Sequence, residues 1–269
     1  MHVYLNNQYD KLLYYLMVYP CNFEIIDSNN PYKGRINYDL MYSQYNNFVN
    51  LLIENGVKVQ FLDIINSPSQ VFTRDIGFVI KDILFISKLK SPERLIEPTV
   101  LKRFAKKHNL KTYEMKHNIE GGDIILHDDV VFVGMSRRST KEACNELQNV
   151  LNEYNISVKV IPINFDNHKL HLDCVFNSID KNNCVITDYV FDKNIISKYF
   201  NNCIILKGNA ADNLGPNFIC LGNRKILTSC KEVSNILNEN GFWGIYTDYS
   251  EIMKAGGSFT CSTLPILRV

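Results

Sequence analysis

Four short stretches of the chain carry side chains able to do chemistry together: Phe72-Thr73-Arg74-Asp75, Glu120-Gly121-Gly122-Asp123, His171-Leu172-Asp173 and Gly256-Gly257-Ser258-Phe259-Thr260-Cys261. Cys261 is the candidate nucleophile. The two glycines before it escape the usual φ limits, so the turn is expected to present the thiol to a pocket. A thiolate works best beside a positioned acid/base, and His171, with a carboxylate two residues on, is the candidate. The other histidines (2, 108, 117, 127 and 168) lie at the N-terminus, at helix ends or near turns and read as solvated surface. Asp75, Glu120 and Asp173 are each a common turn-forming type when taken alone. Gathered in one pocket without a cation, they repel and raise one another's pKa. A metal or a cationic ligand resolves that conflict. A planar guanidinium, with five N–H donors and a permanent charge, suits several carboxylates better than an ammonium does. A zinc ion held by Cys261, His171 and Asp173 is the competing arrangement.

The elements that must bring these residues together recur. After Tyr38 the pattern runs helix, strand, polar loop, strand, turn, strand, and then repeats. Asp39–Asn55 has Leu40, Tyr45, Phe48, Leu51 and Leu52 at helical spacing, with Gly56 as its stop. Val57–Ile65 follows as a strand, and a hairpin about Lys81-Asp82 closes the first unit. Helices over 92–109, 140–154, 193–200 and 231–240 mark the later ones. The polar motifs fall near positions 75, 121, 172, 213 and 260. Five units of one small sheet and one helix most simply close into a ring, an α/β propeller with helices outside. Equivalent loops then converge at one end of the axis. With no linker or low-complexity stretch, residues 1–269 read as a single domain.

Lys plus Arg number 29 against 28 Asp plus Glu, a net charge of +1. No long-range field therefore draws the chain to nucleic acid or to an anionic membrane. The apolar run over 12–18 is too short to span a bilayer. The eight cysteines form no CxxC pair and sit mostly in apolar runs, so they read as buried thiols of a reducing, cytoplasmic compartment. A dinucleotide fingerprint and a P-loop are absent, and no cofactor is expected.

The four motifs, with Gly134-Met135-Ser136-Arg137-Arg138-Ser139-Thr140 between the second and third, stand in the order seen in the guanidine-modifying pentein superfamily. That group includes arginine deiminases, dimethylarginine dimethylaminohydrolases and amidinotransferases. Any one motif is weak; five in order, over nearly the whole chain, are specific. The resemblance implies a five-bladed propeller of ββαβ units and a covalent mechanism. Cys261 attacks the guanidinium carbon, His171 protonates the departing amine, and a thiouronium intermediate is then hydrolysed. Glu120 and Asp75 hold guanidinium nitrogens, with Glu120 also close to His171, and Arg138 matches the arginine that pairs an α-carboxylate. Asp123 is expected to brace its own loop. Asp173 resembles the deiminases and amidinotransferases, whereas the dimethylarginine hydrolases lack an acid there. An unmethylated terminal guanidine on an arginine-like substrate follows, because methyl groups beside Asp173 would leave it unpaired. The compact size favours hydrolysis. Transfer of the amidino group to an amine shares the first half-reaction and is the alternative, and a non-catalytic ring of the same fold is a third reading. A homodimer is compatible with the sequence without being dictated by it.

Overall fold

The computed structural model describes all of residues 1–269 and builds five three-stranded sheets, the α/β propeller expected. In each sheet an antiparallel pair, a hairpin in four of the five, receives a third, parallel strand that returns after a helix. The first blade pairs Gly77–Ile80 with Ile83–Ile86 across Lys81-Asp82 and adds Thr112–Glu114 after the helix Pro98–Lys107. The second combines Ile124–His127, Val130–Gly134 and Lys159–Ile163 around the helix Lys141–Glu153. Phe176–Ser178, Asn183–Thr187 and Asn202–Leu206 make the third, and Ile219–Gly222, Lys225–Thr228 and Trp243–Tyr246 the fourth. In the fifth, Leu264–Arg268 runs antiparallel to Leu12–Met17, which pairs in parallel with Lys58–Phe61. The two ends of the chain thus share a blade, and that shared blade closes the ring.

Sheet membership differs from the unit read in the sequence. The strand after the first helix was grouped with the hairpin at 77–86, but it pairs with Leu12–Met17 instead. Parallel strands need a crossover, so the strand following a helix returns to the sheet that preceded the helix. Leu12–Met17, read only as a short apolar run, is the central strand of its blade and almost wholly buried. The helix expected over 92–109 is two pieces, Pro92–Arg94 and Pro98–Lys107. Pro98 lacks the N–H that would continue the first piece and suits the start of the second. His127, expected on the surface, is buried against Phe200 with ring centroids 4.3 Å apart. No helix is long and apolar enough to cross a membrane.

Three of the polar motifs are single helical turns, Thr73–Ile76, Gly121–Asp123 and Leu172–Cys174, each directly before the first strand of its blade. The cysteine loop precedes Leu264–Arg268 in the same way. The repeat therefore gathers all four at one end of the ring, where they bond to one another. The Arg74 guanidinium donates to the carbonyls of Gly121 (2.9 Å) and Ile124 (2.7 Å), and the Arg74 N–H donates to the Cys261 carbonyl at 3.0 Å.

Candidate active site

The cysteine loop is held by its aromatic residue. Phe259 stacks on Phe48 of the first long helix, centroids 4.2 Å apart, with Tyr249 4.8 Å away. Tyr249 donates its hydroxyl to Ser262 Oγ at 3.0 Å, and Thr260 Oγ1 donates to the Phe218 carbonyl at 2.7 Å. At Gly257 a Cβ would meet the Phe72 ring at 2.5 Å and Cys261 Cβ at 3.1 Å, so the loop passes there only because the residue is glycine. The thiol, expected to face a pocket, is enclosed by the packed loop: Cys261 is 2% exposed. Packing of Phe259 drags the following residues inward, because the stacked rings bury more apolar area than an open turn would.

His171 lies between two carboxylates. Its Nε2 meets Glu120 Oε2 at 2.8 Å, and its Nδ1 faces Asp75 Oδ1 at 3.7 Å, too long for a hydrogen bond. A Cβ on Gly122 would come within 2.6 Å of the imidazole, so the second glycine of its motif makes room for the ring. Burial would lower the imidazole pKa, but Asp75, Asp123 and the hydrogen-bonded Glu120 hold it well above its ordinary value. Burial likewise pushes Glu120 up, yet the hydrogen bond and charge of His171, with Arg94 and Arg138, keep it down at about 2. The resting pair is therefore imidazolium and carboxylate. Glu120 Oε1 is already engaged by the Lys90 N–H at 3.3 Å and by Arg138 Nη1 at 3.5 Å.

Asp75 is half occupied. Its Oδ2 pairs with Arg94 Nη1 at 2.7 Å, and Arg94 also grips Glu97 through Nη2 at 2.7 Å. Ser67 Oγ completes the set by donating to Glu97 Oε1 at 2.6 Å. Asp75 Oδ1 and His171 Nδ1, both buried, have no hydrogen-bond partner. The conflict between converging acids is thus met in part by a buried arginine that the sequence reading overlooked. Its signal was present, an Arg-x-x-Glu pair after Pro92, but it lay inside a segment read as one continuous helix.

The thiol has different company. Cys261 Sγ is 3.9 Å from both carboxylate oxygens of Asp173 and accepts from Asn217 Nδ2 at 3.1 Å, while its N–H donates to Asn217 Oδ1 at 3.3 Å. Asn217 lies in the fourth polar loop, marked near position 213, but it is a neutral amide outside the Asn213-Leu214-Gly215 stretch and the sequence does not single it out. Asp173 has no basic side chain within ion-pair distance. Burial, with the like charges of Asp75 and Asp123, raises it to about 7 against the opposing pull of His171 and Arg74. Cys174 Sγ donates to Asp173 Oδ1 at 3.5 Å, placing a second thiol in the cluster.

Arg138 stands at the rim, a quarter exposed, donating to Ser91 Oγ at 2.6 Å. Asp123 does more than brace its own turn. Its Oδ2 accepts from the Ser136 and Ser139 hydroxyls at 2.6 Å each, and its Oδ1 accepts from the Leu172 N–H at 3.0 Å. It therefore ties the second motif to both the arginine loop and the histidine turn. Burial raises it to about 6. His168 is a surface residue bonded to Asp166 at 2.8 Å, apart from the cluster. A cavity of about 760 Å³, formed by loops of the third, fourth and fifth blades, reaches the cluster only at Cys174 and at Gly256. Two groups of three donors could each hold a metal: Asp75, Glu120 and His171, or Asp173, Cys174 and Cys261. The competing zinc set, Cys261 with His171 and Asp173, is divided between them.

A buried thiol, an imidazolium and carboxylates gathered at one end of a five-bladed ring define a class, and comparison with known proteins agrees. The family model for arginine deiminase matches residues 57–205. An uncharacterised Bacillus subtilis protein, YkgA, is 35% identical over 232 residues, 84% of this chain and 79% of the relative. The dimethylarginine dimethylaminohydrolase of Mycobacterium tuberculosis is 24% identical over 261 residues, 94% of this chain and 85% of that enzyme. Among solved structures, the N-terminal domain of ArgZ, a cyanobacterial arginine dihydrolase, superposes with a TM-score of 0.85 at 20% identity, covering 95% of this chain and 98% of that one. The chain belongs to the arginine deiminase family of the guanidine-modifying pentein superfamily.

Proposed function

We propose that the protein hydrolyses a guanidino C–N bond of an arginine-like amino acid through a covalent intermediate on Cys261. The observation that carries this reading is the unpartnered buried pair, Asp75 Oδ1 and His171 Nδ1, beside a thiol and an uncompensated Asp173. Buried polar groups without partners are costly, and a planar cation with N–H donors on several edges would satisfy Asp75 and Asp173 together. The dimethylarginine hydrolase and arginine dihydrolase activities named for the relatives support the same substrate class.

In this mechanism Asp173 and the free oxygen of Asp75 hold the guanidinium, and Arg138 pairs a carboxylate at the far end of the substrate. Cys261 gives up its proton to solvent once the guanidinium is bound beside it and attacks the central carbon as the thiolate. His171 starts as the imidazolium that its neighbours favour, so it is an acid first: it gives its proton to the departing nitrogen, and ammonia or an amine leaves. A thiouronium remains on Cys261. The now neutral His171 takes a proton from water, the hydroxide adds to the carbon, and the C–S bond breaks to release a ureido product. Glu120 stays ionised and stabilises each imidazolium that forms. Asp173 favours an unmethylated terminus, since methyl groups would leave it without donors.

The direct test is a product screen with arginine, methylated arginines, agmatine and guanidinoacetate, measuring ureido product and released amine. Acid-quenched samples analysed by mass spectrometry are expected to carry an adduct on Cys261. Absence of turnover with every substrate, with Cys261→Ser indistinguishable from wild type, would remove the reading.

A further inference from the structure

The geometry points to a second thiol function at the same end of the ring: Cys174 is a resolving cysteine that traps an oxidised Cys261 as a reversible disulfide. The two residues lie 87 positions apart, yet the Asp173 carboxylate and the two sulfurs fall within 4.8 Å of one another. Cys174 Sγ is 3.5 Å and Cys261 Sγ 3.9 Å from Asp173 Oδ1. Both side chains are buried; the 760 Å³ cavity is lined by Cys174 and not by Cys261, so a small solute entering from that side reaches Cys261 past Cys174. A disulfide needs an S–S separation of about 2.05 Å, so closing the gap between two sulfurs that lie within 4.8 Å requires the side chains to rotate toward each other. The hydrogen bond with Cys261, and then burial, push the Cys174 thiol well above its ordinary pKa, which suits a group that stays inert until its neighbour becomes an electrophile.

The oxidant is a hydroperoxide. Attack by the Cys261 sulfur breaks the O–O bond of hydrogen peroxide, leaving a sulfenic acid and one water. The Cys174 sulfur then attacks the Cys261 sulfur and the S–O bond breaks. The Cys174 proton passes through the Asp173 carboxylate to the departing hydroxide, and a second water leaves. One peroxide and two thiols become one disulfide and two waters. The trapped form cannot reach a guanidinium, and thiol reductants restore it. Without Cys174 the sulfenic acid is open to further oxidation to sulfinic acid, which such reductants do not reverse.

The test is peptide mapping of the full-length wild-type protein after brief hydrogen peroxide treatment and alkylation of the remaining free thiols. A Cys174–Cys261 cross-linked peptide, lost on adding dithiothreitol, is the expected product. In Cys174→Ser the same treatment is expected to leave Cys261 as sulfinic acid that dithiothreitol does not recover. Three results would overturn the proposal: Cys261 oxidised in the wild type while Cys174 remains alkylated; cross-linking only of Cys184 with Cys203, whose sulfurs lie 3.3 Å apart on adjacent strands; or equal recovery in Cys174→Ser. The wild-type map stands even if the variant does not fold. It reads thiol chemistry and not turnover, so it remains decisive if no guanidine is hydrolysed.

Discussion

The imidazole half of the cluster and the thiol half are buried to the same depth and solve that burial in opposite ways. Around His171, Glu120 and Asp75 face an imidazolium, Arg94 and Arg138, and Glu120 stays ionised with a pKa of about 2. Around Cys261, the carboxylate of Asp173 has two thiols and an amide nearby and no cation within ion-pair distance, and burial raises it to about 7 against the pull of His171 and Arg74. Depth alone therefore does not decide the state of a buried acid; the partners supplied by neighbouring blades do. In the proposed mechanism the ion-paired half supplies the acid, and the other half takes its counter-charge from the bound guanidinium.

The contrast can be tested from both sides. The largest effect is expected at the thiol: Cys261→Ser should lower kcat by roughly 10⁶-fold, the scale seen when a covalent nucleophile is removed, as read by ureido product. Replacing the acid/base, His171→Gln, should cost about 10²–10⁴-fold in kcat. If both variants lose the same small factor, the division of roles is wrong. Arg94→Leu should instead act on stability, by about 3–5 kcal/mol in urea unfolding, since it strands Asp75 and Glu97 as unpaired buried charges. An effect well under that scale would mean that the arginine does not neutralise the imidazole half.

The two carboxylates should also respond oppositely to pH. Glu120 is held at about 2, below its unfolded value of about 4.3, so its contribution is complete above that value and is lost as pH falls toward 2. Asp173 sits at about 7, above an unfolded value of about 3.9, so folding favours its protonated form and stability is lost as pH rises through 7. Unfolding midpoints measured across pH should therefore show Glu120→Gln converging on wild type in acid, and Asp173→Asn gaining on wild type between about pH 4 and 7. Parallel profiles would erase the distinction between the halves. The smallest effect belongs to the rim: Arg138→Lys keeps the charge but loses the fork and should raise KM roughly tenfold for a substrate bearing a carboxylate, while sparing one that lacks it.

Much of this was legible in the chain because the reactive residues sit in polar loops at a regular interval, and a repeat brings equivalent loops together whatever the details of each blade. Asp75, Glu120, His171, Asp173 and Cys261 could be named on that ground. Arg94 and Asn217 could not. Arg94 matters through a salt bridge to Asp75, 19 residues back across the first-blade hairpin, and Asn217 through contacts with Cys261, 44 residues away. Neither pairing leaves a periodic trace. The phase of the repeat was misread for a related reason: hydrophobic alternation reveals a strand but not its partner, and only the crossover to Leu12–Met17 assigns the strand at 58–61 to the closing blade.

The sequence by itself determined the five-unit ring, the order of its reactive loops and the residue types that meet at one end, because these follow from local periodicity, turn chemistry and spacing. Tertiary structure alone decided which acid is charged, that the thiol is enclosed despite its glycine turn, and that Cys174 lies beside it. Those outcomes depend on desolvation and on the few ångströms separating side chains from different blades, quantities that no stretch of sequence contains.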